Sequence, residues 1–234
     1  MKTLFFSLAV ASHVCLASAA AEEVTLYVKP GSLRGHIAVV NQQTMISESL
    51  FVDATEVMRE RRRYDFRFGR GDTVSKGAAM QLRIVDDPTD LAPMTVSPEA
   101  GRGVLNVAAL TNDLRSAADV QKLLPNRAKL EFLRLICYAF GVGGSQFGGN
   151  LLSATSVRDL DGMGLFLPVD VFDKIDASAA KRGLKPEIVA EYYEACEQGW
   201  APTPTNAAQK AIWDKVHAIP KNPMKIEFDP KKGR

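Results

Sequence analysis

Side chains suited to hydrolytic or metal chemistry are scarce in this chain. Its 234 residues include three histidines (His13, His36 and His217) and three cysteines (Cys15, Cys137 and Cys196). No two of these have a ligand spacing such as C-x-x-C or H-x-x-x-H, so they do not mark a metal site. His36 reads as a surface or half-buried histidine, because the sequence supplies no partner that would make it a base. Carboxylates cluster at Asp86, Asp87 and Asp90, and again at Asp159 and Asp161. Such a cluster can bind a cation or share a proton. Aspartates around Pro88, however, read as turn formers that bond their own backbone, and Asp159-Leu160-Asp161-Gly162 is only a fragment of a calcium loop. Ser145 sits in a glycine-rich loop, residues 141–149, with Phe147 in the second glycine position of G-x-S-x-G. Gln146 also breaks G-x-G-x-x-G there, and the loop follows a helix instead of a strand, so a dinucleotide site is excluded. A non-metal hydrolase would have to use Cys137, or Ser145 with His36 or His217. A cysteine in the middle of an apolar helix face is normally buried and inert.

The elements that would position any site centre on residues 131–144, EFLRLICYAFGVGG. Leu130, Leu133, Ile136, Cys137 and Phe140 recur at helical spacing, and Gly141 reads as a C-terminal stop. The stretch resembles the active-site helix of metzincins and their archaemetzincin relatives, which carry H-E-x-x-H-x-x-G-x-x-H. In that family the histidines bind zinc and the glutamate acts as general base. The frame falls here on Arg134, Leu135, Tyr138, Gly141 and Gly144, and only the turn glycine is kept. Asp161-Gly162-Met163-Gly164 stands where the family has its Met-turn, which places Met163 as the floor methionine. Residues 103–110 resemble the last sheet strand, and the likeness runs over about residues 24–182. It implies a cleft without its metal: no zinc, no cofactor, and no catalytic or metal-binding residue of the family type. Arg134 would stand in the zinc position as a fixed charge, bound to a carboxylate such as Asp159 or Asp161. A count supports the loss independently, since His13 lies in a segment expected to be removed and two histidines cannot build a three-histidine site.

That removed segment is a targeting signal. Lys2 precedes an apolar core over residues 4–16, and Ala17-Ser18-Ala19 or the following alanines offer a cleavage site. The run is too short for a stable membrane anchor. The expectation is an exported protein: residues 1–20 signal peptide, 21–200 a metzincin-like domain, 201–234 a linker, a short helix and a tail. Hydrophobic content of 46% and charged content of 24% are ordinary for a globular chain. A formal net charge of +2 sets up no field for nucleic acid or anionic membrane. An oxidising compartment would permit one disulfide, Cys137 with Cys196; two buried free thiols are the alternative.

Periodicity gives the rest. Residues 23–29 alternate as a first strand, while residues 36–40 are left undecided between strand and loop. Residues 46–63 predict a helix with Ser47 as cap, and residues 64–68 a strand with one buried aromatic face. Strands follow at 80–85, 94–96 and 103–110, and Pro125 opens the central helix. Helices are expected at 168–181, at 186–198 and from Asn206 to Val216, with a tail strand at 224–228. The order predicts an α+β, zincin-like fold: a mixed, twisted sheet with two packed helices, then a helical C-terminal half. The implied partner is an extended peptide or a protein, bound without catalysis. A module binding through the linker and the Trp213 helix is the structural alternative.

Overall fold

The computed structural model describes residues 25–43, 45–59, 63–144 and 148–218. The segment expected to act as a targeting signal, Ser145 and the stretch 224–228 expected as a strand lie outside the described residues.

A five-stranded mixed sheet carries the fold, in the order β3-β2-β4-β6-β5. Its strands are β2 (Ile37–Asn41), β3 (Phe66–Gly69), β4 (Met80–Val85), β5 (Met94–Ser97) and β6 (Arg102–Asn106). β3, β2, β4 and β6 run parallel, and β5 closes one edge antiparallel to β6. Helix α1 (Glu48–Arg59) connects β2 to β3, and α2 (Ala117–Ala139) follows β6. β4 alternates cleanly: Met80, Leu82 and Ile84 enter the core while Arg83 stays exposed. They share that core with Ile37 and Val39 of β2, Phe51, Ala54 and Met58 of α1, and the apolar side of α2. Phe132 of α2 ties the layers together, with its ring 5.1 Å from Phe51 and 6.4 Å from Phe68.

The stretch left undecided proves to be the second position of the sheet. Ile37, Ala38, Val39 and Val40 are all fully buried, because the outer face of β2 is covered as well. The 3₁₀ turn Asp72–Ser75 lies over it, with His36 Nε2 3.1 Å from the Val74 carbonyl oxygen and Gln81 Nε2 donating to Ser75 Oγ at 2.8 Å. A parallel strand buried on both faces reads as a continuous apolar run without alternation.

Three boundaries differ from expectation. The strand at 103–110 ends at Asn106 and passes into the 3₁₀ turn Ala108–Thr111. Pro125 does not open α2 but lies inside it; the helix starts at the Ser116 cap, whose Oγ accepts from the Asp119 backbone N–H at 3.1 Å. Burial of Leu124, Ala128 and Leu130 outweighs the one backbone bond that proline removes. The first strand, β1 (Leu26–Val28), stays out of the main sheet and pairs antiparallel with β7 (Val189–Glu191). Residues 186–198 are therefore a strand followed by the short α4 (Tyr192–Glu197), not one helix. α3 (Val169–Lys181) falls where the periodicity put it, and Asn206 Oδ1 accepts from the Gln209 N–H at the start of α5 (Ala207–Ala218). No helix among the described residues is long and apolar enough to cross a membrane.

Candidate functional site

From Arg127 onward helix α2 is buried on nearly every side, yet it carries a stripe of polar residues. Arg127, Glu131, Arg134 and Tyr138 follow one another at the spacing of a single helix face. The side chain of Arg127 is 1% exposed, and all five of its N–H groups are bonded. Nε and Nη2 donate to the two oxygens of Asp161, at 2.6 and 2.7 Å. Nη1 and Nη2 donate to Asp113 at 2.6 and 3.1 Å, and Nη1 also reaches the Leu110 carbonyl at 2.8 Å. The Arg127 hydrogen bonds hold the Asp113 carboxyl down at about 2, and the two aspartates hold the guanidinium charged. This clasp joins the loop before α2 to the loop that follows the glycine-rich turn.

Two turns on, Arg134 Nη1 donates to Glu131 Oε2 at 2.6 Å and Nη2 to the Ala154 carbonyl at 2.8 Å. Both side chains are buried, at 9% and 1% exposure. Burial pushes the Glu131 carboxyl up, against the pull of the guanidinium. Burial also works against the Arg134 charge, and Glu131 and Tyr138 together more than offset it. The guanidinium carbon lies 5.6 Å from the centre of the Tyr138 ring. Arg134 Nε is buried without a partner among the described residues. The partner of Arg134 is thus Glu131, neither Asp159 nor Asp161. Asp161 is already held by Arg127, and Asp159 Oδ2 accepts from the backbone N–H groups of Thr155 and Ser156, which pull its carboxyl to about 2.

The other frame positions separate. Leu135 is fully buried and faces the sheet, where a Cβ added at Gly103 would come within 2.8 Å of Leu135 Cδ1. β6 can approach α2 this closely only because residue 103 is glycine. Gly141 ends the helix with φ +79°, its N–H bonded to the Tyr138 carbonyl and that of Val142 to the Cys137 carbonyl. That pair of bonds is a Schellman stop. A Cβ at Gly144 would stand 3.3 Å from the Tyr138 hydroxyl, so Arg134, Tyr138 and Gly144 form one connected group. Met163, half-buried, packs on the core just after the 3₁₀ turn Val157–Gly162.

Cys137 and Cys196 are both buried free thiols, so of the two states open to them the unpaired one is found. Burial pushes the Cys137 thiol up to about 12, which leaves almost no thiolate at neutral pH and removes it as a nucleophile. His36 points at a backbone carbonyl, and His217 lies flat on Trp213 with ring centres 4.2 Å apart. Among the described residues, the hydrogen bonds of both rings go to backbone carbonyls and none to a carboxylate that would orient a base. Asp87 behaves as a turn former, accepting from the Thr89 N–H and hydroxyl at 2.9 and 2.6 Å. No group of three or more His, Cys, Asp or Glu side chains among the described residues could hold a metal ion. The frame does not fit zinc on chemical grounds: one position is a cation, one a core leucine and one a glycine.

Beyond the Gly141 stop opens a cleft of about 520 Å³ between the glycine-rich turn and the start of α3. Gly143, Gly144, Gly148 and Gly149 offer it bare backbone, and Phe166, 61% exposed, stands in it. Lys174 and Asp170, one turn apart on α3, pair at 2.8 Å along one side of it. Sequence reasoning missed Arg127, Glu131 and Phe166. The signal for the first two was present, as charges recurring at helical spacing inside an otherwise apolar segment.

No family model matches the sequence, and no curated protein matches it. Among solved structures, the chain is similar to an archaemetzincin from Methanopyrus kandleri, with 13% identity and a TM-score of 0.47 over 66% of this chain and 99% of that one. It is also similar to a zinc-dependent peptidase from Methanocorpusculum labreanum, with 13% identity and a TM-score of 0.45 over 59% of this chain and 99% of that one.

Proposed function

We propose that this protein is an exported, catalytically inactive metzincin-like domain that binds an extended peptide or protein segment. The observation that carries the reading is the ion pair of Arg134 with Glu131, buried at the position where the sequence frame calls for a first zinc ligand. A guanidinium cannot ligate a metal, and its positive charge opposes one nearby. With Leu135 in the core at the position of the base, water activation of the family type has no agent. What remains suits binding. The bare glycine backbone presents N–H and C=O groups to an extended chain, the Phe166 ring offers an apolar contact, and β5 is a sheet edge open to strand addition. Export rests on the N-terminal apolar segment with its Lys2 start and alanine-rich cleavage region.

A random extended-peptide library, panned against the mature protein and then against Phe166→Ala and Val96→Pro, tests the reading. Selected peptides should bind the parent, lose roughly tenfold in affinity with Phe166→Ala, and be cut by none of the three proteins. Hydrolysis of a selected peptide, or enrichment of none, would overturn it.

A further inference from the structure

We infer that Arg127 and Arg134 are positioning residues: two buried guanidiniums on one face of α2 that set the wall of the cleft without lining it. They lie seven residues apart, about 10.5 Å along the helix axis at 1.5 Å per residue. Both reach into the segment that follows the glycine-rich turn. Arg134 holds the Ala154 carbonyl at its beginning, and Arg127 holds the Asp161 carboxylate at its end. Between these anchors the chain is internally fixed, since the Asp159 carboxylate accepts from Thr155 and Ser156. Asn126, next to Arg127, adds a bond to the Leu160 carbonyl at 3.5 Å.

The anchored stretch lies between cleft-lining residues on both sides. Asn150 and Leu152 precede it and Phe166 follows it, and all three face the cleft. Neither arginine lines the cleft itself. The Asp161-Gly162-Met163-Gly164 turn, which leads to Phe166, has two glycines and little stiffness of its own. Its position is therefore set from the helix, through charge-assisted bonds that five guanidinium donors can make and an ammonium cannot. The inference rests on the cleft reading only in treating this segment as the wall of a binding site.

Hydrogen exchange on the full chain tests it without any ligand. Arg127→Met leaves Asp161 without its cation and Asp113 with only the exposed Arg158, 3.4 Å away, so the deciding variant is Arg127→Met with Asp113→Asn and Asp161→Asn, in which no buried charge is stranded. In that triple variant, thermal stability should return most of the way from the single variant toward the parent. Amides of residues 154–166 should still exchange at least about tenfold faster than in the parent, with β2 and β4 unchanged. Arg134→Met with Glu131→Gln should do the same, centred on residues 151–155. Parent-like exchange over 154–166, or acceleration shared equally by β2 and β4, would overturn the inference. A parent protein that selects no peptide would sink the cleft reading while leaving the exchange result untouched.

Discussion

The two sides of α2 solve the same burial problem in opposite ways. Toward the sheet, Leu135 and Phe132 are fully buried by packing, Leu135 against Gly103 of β6 and Phe132 against Phe68 of β3. Toward the later loops, the helix buries charges and bonds them from within the chain, fully at Arg127 with its five bonds and at all but Nε of Arg134. Packing is non-directional and forgiving of small changes in shape. A buried ion network is directional, and removing one member leaves the others charged and unpaired. The apolar side therefore holds the domain together, while the polar side fixes where two particular loops sit.

The contrast predicts which single changes are worst. Arg127→Met should cost about 3–5 kcal/mol, because two carboxylates lose their shared cation, although the substituted side chain is itself apolar. Chemical denaturation should register this as a lower midpoint, and a change below about 1 kcal/mol would mean that the clasp is solvated and the contrast false. Leu135→Ala, on the other side, should cost about 3 kcal/mol through a cavity against Gly103. The acid limb of stability sharpens the distinction. Asp113 is depressed to about 2 in the folded chain, against about 3.9 unfolded, so its contribution is present above about pH 4 and lost as pH falls toward 2. Asp159 titrates over the same window, so the informative quantity is the difference between the parent and the triple-neutral clasp variant. That difference should shrink as pH falls from 4 to 2, and constancy there would remove the clasp from the acid transition. Gly141→Ala should be the mildest, about 1 kcal/mol for a side chain at φ +79°, with the helix stop otherwise kept.

How much of this could be read from the sequence follows from the same contrast. β4 was legible because one of its faces is buried and the other half-open, which gives clean alternation. β2 was not, because the turn over Val74 buries its second face and erases the period. The start of α2 was masked by Pro125, a residue that usually opens helices and here lies inside one. Within the site, the metzincin-like frame pointed to Arg134, Leu135, Tyr138, Gly141 and Gly144, of which Arg134, Tyr138 and Gly144 lie together while Leu135 faces the sheet. It misassigned the partner of Arg134, since Asp159 and Asp161 are turn and clasp residues while Glu131, a single turn back, is the carboxylate in reach. The clasp itself joins residues 14 and 34 positions apart in the chain, and no local pattern encodes a contact of that separation.

The central claim of the proposed function is that the charges of the α2 stripe take their partners, Arg134 Nε aside, from within the chain and that the site holds no metal. Elemental analysis of the purified mature protein, dialysed without chelator, tests it most directly. The account predicts less than about a tenth of an equivalent of zinc or any other transition metal, and the same thermal midpoint with and without added zinc. A full equivalent retained through dialysis, with a midpoint that rises on adding zinc, would contradict it and require a ligand set that the Glu131–Arg134 pair does not allow.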